Sequence, residues 1–217
     1  MKNIIFKVVR LFIGLFLYAV GIVMNINANI GLAPWDVFHK GLSETFSITM
    51  GQASIGVGLA IVLGVFFLGE RVGIGTLCNM YFIGFFMDIL MVNNIIPVFE
   101  GFFPGLMLML FGMLIIGVAT VAYIGAGLGS GPRDGLMIAL TKKTGRPVSF
   151  IRNIIEITAL GTGFLLGGTL GIGTVIMSLT IGYFVQFAFK IFNFDVRNIQ
   201  HVYIDDHIKN IKNKSAV

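Results

Sequence analysis

The chain has 217 residues, a net charge of +5, 56% hydrophobic residues and only 12% charged ones. Water-soluble domains carry about 25% charged residues, so a soluble enzyme, a disulfide-rich secreted domain and a disordered chain are excluded. The charges are also clustered: no Asp, Glu, Lys or Arg lies between Arg10 and Asp36, Glu44 and Glu70, Glu100 and Arg133, or Glu156 and Lys190. A bilayer core needs about 20 apolar residues per helix. A membrane barrel would show short alternating segments in place of these long runs. The class is an all-α integral membrane protein.

In chain order, the predicted spans cover residues 8–27, 52–69, 73–92, 104–124, 149–167 and 171–191. The start, with Lys2 before an apolar stretch, has the look of a signal peptide but lacks a convincing small-residue cleavage site. Segments 33–46 and 131–144 carry charges and are too short to cross. With the N-terminus in the cytoplasm, every Lys and Arg except Lys40 falls inside or at the inner rim. That asymmetry predicts both termini cytoplasmic, with a polar cytoplasmic tail over 193–217. The positive balance then reports cytoplasmic loops, with no nucleic-acid partner. The single cysteine, Cys78, lies in an apolar run and reads as a small buried hydrophobe.

Residues 10–92 align without a gap on residues 108–190, with 19 of 83 positions identical. Ala28-x-x-Gly31-x-x-Pro34-x-Asp36 recurs as Ala126-x-x-Gly129-x-x-Pro132-x-Asp134, and Gly73-Ile74-Gly75-Thr76 recurs as Gly171-Ile172-Gly173-Thr174. Gly14 meets Gly112, which makes the first span part of the fold. Three spans per repeat is an odd number, so the second repeat enters the membrane upside down. The expectation is one membrane domain, residues 1–192, built from two inverted three-helix repeats at about 8–92 and 104–191. Inverted repeats of this layout occur in many transporters.

Each repeat places a glycine-rich bend, then a proline, then an aspartate after its first span. Glycine permits unusual backbone angles. Pro34 and Pro132 suit the first turn of a helix. Asp36 and Asp134 sit where a carboxylate answers the positive end of the helix dipole. Each repeat should therefore carry a short interrupted or re-entrant helix, at 34–45 and 132–143. Two placements stay open. The pair dips inward to face a solute from opposite sides, or both helices lie flat at the interfaces with ordinary capping aspartates. Gly-Ile-Gly-Thr itself reads as close helix packing.

Charged groups inside spans usually face a cavity or a partner. Glu156 lies inside the fifth span, with Arg152 four residues earlier on the same helical face. The pair is either a solute site or a self-neutralising orienting pair. Asp88 and its repeat counterpart Gln186 are candidates for a polar pair across the pseudo-axis, or Asp88 simply reaches the outer interface. Arg133 favours an anionic solute, while Asp36 and Asp134 favour a cation. His39 and Trp35 read as an interfacial histidine and an interfacial anchor.

The motifs Gly31-Leu32-Ala33-Pro34-Trp35-Asp36, Met50-Gly51-Gln52-Ala53, Gly127-Leu128-Gly129-Ser130-Gly131-Pro132-Arg133-Asp134 and Gly171-Ile172-Gly173-Thr174 resemble those of the YczE/YyaS/YitT family of bacterial integral membrane proteins, nearest to its YczE branch. The resemblance covers about residues 5–192. It implies a multi-span helical fold in the bacterial cytoplasmic membrane and carries no substrate with it.

Function is therefore read from the residues. The expectation is a transporter or channel for a small solute or ion, with the lipid bilayer as its surroundings and no metal or cofactor. The candidate solute-binding residues are Pro34, Asp36, Asp88, Pro132, Arg133, Asp134, Arg152, Glu156 and Gln186. The alternative is a non-transporting regulatory or solute-binding subunit, paired with its own copy or another membrane protein. An enzyme is not expected, since His-Glu-x-x-His and Gly-x-Ser-x-Gly are missing, and the lack of a Walker motif excludes ATP-driven pumping by this chain alone.

Overall fold

The computed structural model describes residues 2–196, 199, 202 and 203. Eight helices follow in order: α1 (Lys2–Asn27), α2 (Pro34–Phe46), α3 (Met50–Phe67), α4 (Ile74–Val92), α5 (Phe102–Gly125), α6 (Pro132–Thr144), α7 (Val148–Leu165) and α8 (Ile172–Ile191). No strand occurs among the described residues. Six of these helices, α1, α3, α4, α5, α7 and α8, are long and apolar enough to cross a membrane. The first candidate span begins at Ile4 and not at residue 8, because Ile4, Ile5 and Phe6 extend the apolar helix ahead of Lys7. The short helices α2 and α6 have 13 residues each.

Local chemistry sets the breaks. Pro34 and Pro132 open α2 and α6 in their first turns. Ser47 and Gly145 close those helices in left-handed backbone, at φ 52° and 67°. Thr49 and Gln52 cap the start of α3 reciprocally. The Gln52 N–H donates to Thr49 Oγ1 at 3.0 Å, and the Thr49 N–H donates to Gln52 Oε1 at 3.1 Å. Thr76 and Thr174 perform matching roles on α4 and α8, accepting from the N–H groups of Gly73 and Gly171 at 3.3 and 3.2 Å.

The centre is the crossing of α1 and α5. A Cβ on Gly21 would lie 2.8 Å from the Gly112 carbonyl, and one on Gly112 would lie 2.9 Å from that of Gly21, so the crossing depends on bare backbone. Leu15, Val23, Met87 and Tyr123 fill the surrounding core. α4 packs on α1 through Phe12–Phe82 and Phe16–Phe86 ring contacts, and α8 packs on α5. Outward side chains are apolar: Phe67 and Leu165 are 82% and 83% exposed, a surface suited to lipid.

α3 packs on α4 within the first half, while the short helices also pack across the halves. α2 lies against α7, and α6 against α3. The bends dock the same way. The Ile30 carbonyl accepts from the Gly173 N–H at 2.8 Å, and the Leu128 carbonyl accepts from the Gly75 N–H at 2.7 Å. Gly31 and Gly129 hold the bends at φ +133° and +126°, a backbone conformation that L side chains rarely adopt. Each Gly-Ile-Gly-Thr segment is thus the seat for the bend of the opposite half. Part of the tail also docks here: the Val202 N–H donates to the Gly127 carbonyl at 2.9 Å, and Arg71 lies over the Tyr203 ring. Most of the tail expected from residue 193, including Arg197, Lys209, Lys212 and Lys214, lies outside the described residues.

Candidate functional site

Seating both bends brings the starts of α2 and α6 together inside the molecule. The Arg133 guanidinium stands 4.3 Å from the centroid of the Trp35 ring. These two residues occupy the same position in the two repeats, each between the helix-opening proline and the aspartate. A guanidinium on an indole face is worth about 2 kcal/mol once water is removed. The Trp35 Nε1–H donates to Glu156 Oε1 at 3.1 Å, midway along α7. A hydrogen bond to a charged group contributes about 1.5–3 kcal/mol, which offsets much of the cost of a carboxylate at this depth. Trp35 is thereby held on its face by α6 and on its edge by α7.

Asp36 and His39 continue this centre along α2. They are 5% and 1% exposed, and His39 Nδ1 lies 3.6 Å from Asp36 Oδ1 without a hydrogen-bond partner. Asp134 lies on the other side, with Oδ2 3.5 Å from where a Cβ on Gly131 would stand; the Tyr123 hydroxyl and Asn79 Oδ1 approach that same point at 3.6 and 3.8 Å. Tyr18 packs edge-on against Tyr123 at 5.8 Å and is within electrostatic reach of Arg133, Asp134, Asp36 and Glu156. Of the predicted residues, Pro34, Asp36, Pro132, Arg133, Asp134 and Glu156 therefore converge. The far ends of the two short helices separate. Thr45 of α2 donates to the Leu166 carbonyl at 3.2 Å, and Lys142 of α6 pairs with Glu70 at 2.8 Å. Lys40 pairs with Glu44, and its hydrogen bond and charge hold that exposed carboxyl below its ordinary pKa.

Three expected residues stand elsewhere. Arg152 is exposed on α7 and forms no ion pair with Glu156, whose partner is the Trp35 indole. Helical spacing put the two on one face, but the guanidinium turns outward while the carboxylate faces α2. Asp88 is a helix cap. Its carboxylate accepts from Thr49 Oγ1 at 2.5 Å and from the Gly51 N–H at 2.9 Å, at the start of α3. Gln186 is exposed on α8 and does not meet it. Asp88→Ala should therefore lower stability by about 0.5–2 kcal/mol, the usual value of an N-cap, and leave solute binding unchanged; thermal unfolding and ligand titration in detergent check both halves. Trp35, His39, Tyr18 and Tyr123 were missing from the expected set. The detectable signal was the alignment of Trp35 on Arg133.

No cluster of three His, Cys, Asp or Glu able to hold a metal ion occurs among the described residues. An apolar groove of about 350 Å³ opens beside Trp35 and Phe38, between α2, α3 and α6. The indole, guanidinium and carboxylate groups of the centre offer hydrogen-bond donors, acceptors and charge.

Six helices long and apolar enough to cross a bilayer define a multi-pass α-helical membrane protein. The chain belongs to the family described as "Family of unknown function (DUF6198)", which matches residues 5–190. Relatives include the "Uncharacterized membrane protein YczE" of Bacillus subtilis (strain 168), 37% identical over 180 residues, or 82% of either chain. An "Uncharacterized protein" of Haemophilus influenzae is 32% identical over 83% of this chain and 82% of its own. The B. subtilis protein YyaS is 26% identical over 76% of this chain and 83% of its own. The likeness drawn from the loop motifs to YczE and YyaS thus holds. No solved structure matches the chain.

Proposed function

We propose that the protein is a transporter or channel for a small solute, built from two inverted repeats in the bacterial cytoplasmic membrane with both termini inside. It acts by binding and passing the solute and carries out no chemical conversion. The observation that carries this reading is the 4.3 Å contact of Arg133 with Trp35. Two flat interfacial helices on opposite sides would hold these residues about 30 Å apart. Two re-entrant helices bring them together and lead outward to opposite faces. Each spans about 20 Å over 13 residues, so the nose-to-nose pair reaches about 40 Å. Irregular backbone within a bilayer persists where protein buries it or where it lines a cavity. Broken helices whose N-termini face a midplane site are a recurring device of secondary transporters. The pairing of α2 with α7 and α6 with α3 is what a twofold axis between the repeats would produce.

Cysteines placed at Ala33 and Gly131 in a Cys78→Ala background test the reading. Both should react with small water-soluble thiol reagents, and a solute that raises the thermal midpoint should protect both. Cysteines at Lys40 and Lys142 should label from outside and inside respectively. Labelling of position 142 from outside, or inert cysteines at 33 and 131, would overturn the proposal.

A further inference from the structure

His39 stands on α2 one turn beyond Trp35, the residue that meets both α6 and α7. The sequence reads it as an interfacial histidine, but the folded chain leaves it 1% exposed. Its Nδ1 lies 3.6 Å from Asp36 Oδ1, too far for a hydrogen bond, and no other atom pairs with it. Buried polar atoms are normally paired, and this one is an exception. In the neutral imidazole Nδ1 is left with an unused donor or an unused lone pair, whichever nitrogen carries the proton. One added proton resolves this. Both nitrogens of an imidazolium are donors, and a charge-assisted bond to a carboxylate closes to about 2.7–2.9 Å. Asp36 is already in place to accept it.

We propose that His39 and Asp36 form a proton-binding site, and that the proton is the ion coupled to movement of the solute. The inference rests on the transport reading of the same centre and names its coupling ion. Imidazole is the side chain that ordinarily gains and loses a proton between about pH 5 and 8. The groups around it are few. On α2, Asp36 faces His39, while Lys40 and Glu44 pair with each other. From α6, the Arg133 guanidinium acts on His39 electrostatically, and Asp134 stands farther off by Asn79 and the Tyr123 hydroxyl. On α7, Glu156 is engaged by the Trp35 indole and Arg152 is exposed. α3 carries no titratable side chain. A proton on His39 therefore meets one carboxylate in front of it and one cation nearby.

That arrangement gives the proton a mechanical effect. Arg133 lies on the Trp35 face, and this contact ties α6 to α2. The Trp35 and His39 rings are 6.4 Å apart, so a charge on His39 stands beside the same indole and repels the guanidinium. With His39 neutral, the starts of the two short helices are held together. With His39 charged, Asp36 closes on the imidazolium, Arg133 is pushed off, and the two bends part.

Trp35 is the only tryptophan in the chain, and an imidazolium beside an indole quenches its emission. The full chain in nanodiscs is titrated from about pH 8 to about pH 5. Trp35 emission should fall along a one-proton curve within that range. His39→Gln keeps a hydrogen-bonding side chain of similar size without a titrating proton, and should abolish the transition. Replacing the other two histidines, His201→Gln together with His207→Gln, should leave it in place. Asp36→Asn removes the carboxylate and should move the midpoint down by at least about one pH unit. The parting of the bends is read from a cysteine at Ala33 in the Cys78→Ala background. Its rate of labelling by a methanethiosulfonate reagent, divided by the rate in the same protein carrying His39→Gln, should rise several-fold as the pH falls. A flat titration of the parent, a transition that survives in His39→Gln, or a midpoint unmoved by Asp36→Asn would overturn the inference. If that happens while a solute still protects cysteines at 33 and 131, the proton site falls and transport stands. A His39-dependent transition with both cysteines inert would instead uphold the proton site and remove transport.

Discussion

Gly73→Ala is expected to lower the thermal midpoint by about 10 °C and to shift much of the purified protein into aggregate, although only one methyl group is added. Gly73 has φ −96°, open to any residue, so the effect comes from contact and not from backbone strain. A Cβ there would lie 2.3 Å from the Leu128 carbonyl oxygen and 2.6 Å from the Gly129 Cα. Both are backbone atoms of a bend held at φ +126° and cannot swing aside as a flexible side chain would. Relief requires lifting the bend, which breaks the 2.7 Å bond from the Gly75 N–H and the 2.6 Å bond from Thr76 Oγ1 to the Ser130 carbonyl. Overpacking costs about 1–3 kcal/mol. Each lost hydrogen bond costs about 0.5–1.5 kcal/mol. For about 200 residues, 1 kcal/mol corresponds to roughly 2–4 °C. Gly171→Ala should behave alike, since its Cβ would stand 2.3 Å from the Ile30 carbonyl. Gly161→Ala, facing open space on α7, should leave the midpoint within about 2 °C. Equal midpoints for all three in detergent would show that the bends are not seated on the glycines.

Glu156→Gln should reduce solute binding or flux at least tenfold while leaving the folded yield near that of the parent. The amide oxygen can still accept from the Trp35 Nε1–H, so the 3.1 Å bond survives and only the charge is lost. Glu156→Leu removes charge and acceptor together. The indole N–H of a residue only 7% exposed is then unpaired, at a cost of about 1–3 kcal/mol in stability, and Trp35 emission should shift. Arg152→Gln should change neither binding nor stability by more than a small margin, because Arg152 is exposed and unpaired with Glu156. The three variants separate a binding carboxylate from an orienting ion pair. Loss of folded protein in Glu156→Gln, with specific activity intact, would make the carboxylate structural, and an Arg152→Gln defect matching it would restore the ion pair.

Much of the architecture was legible from local chemistry. Charge-free runs located the spans because a charge within lipid is costly, whatever the helix packs against. The alignment of Gly31, Pro34 and Asp36 on Gly129, Pro132 and Asp134 located the bends and the starts of α2 and α6, because left-handed backbone and first-turn prolines restrict residue type at single positions. Glu156 stood out as a carboxylate inside an apolar run.

Its partner did not stand out. Spacing along one helix offered Arg152, but the group that meets Glu156 is an indole 121 positions away. Asp88 was ambiguous for a similar reason, since a carboxylate in a span looks identical whether it awaits a solute or caps α3 through Thr49 and Gly51. The seating of each bend on the other half's Gly-Ile-Gly-Thr, through the carbonyls of Ile30 and Leu128, joins backbone atoms that carry no residue-specific signal. The sequence by itself determined the class, the number of spans, the repeat and the places where the chain bends, because these follow from solvation and from the backbone limits of single residues. Only the tertiary structure decided that Trp35, Arg133, Asp36, His39 and Glu156 share one centre. Their meeting depends on α2 and α6 crossing to the opposite half, and the direction in which a helix presents each side chain is settled by what it packs against.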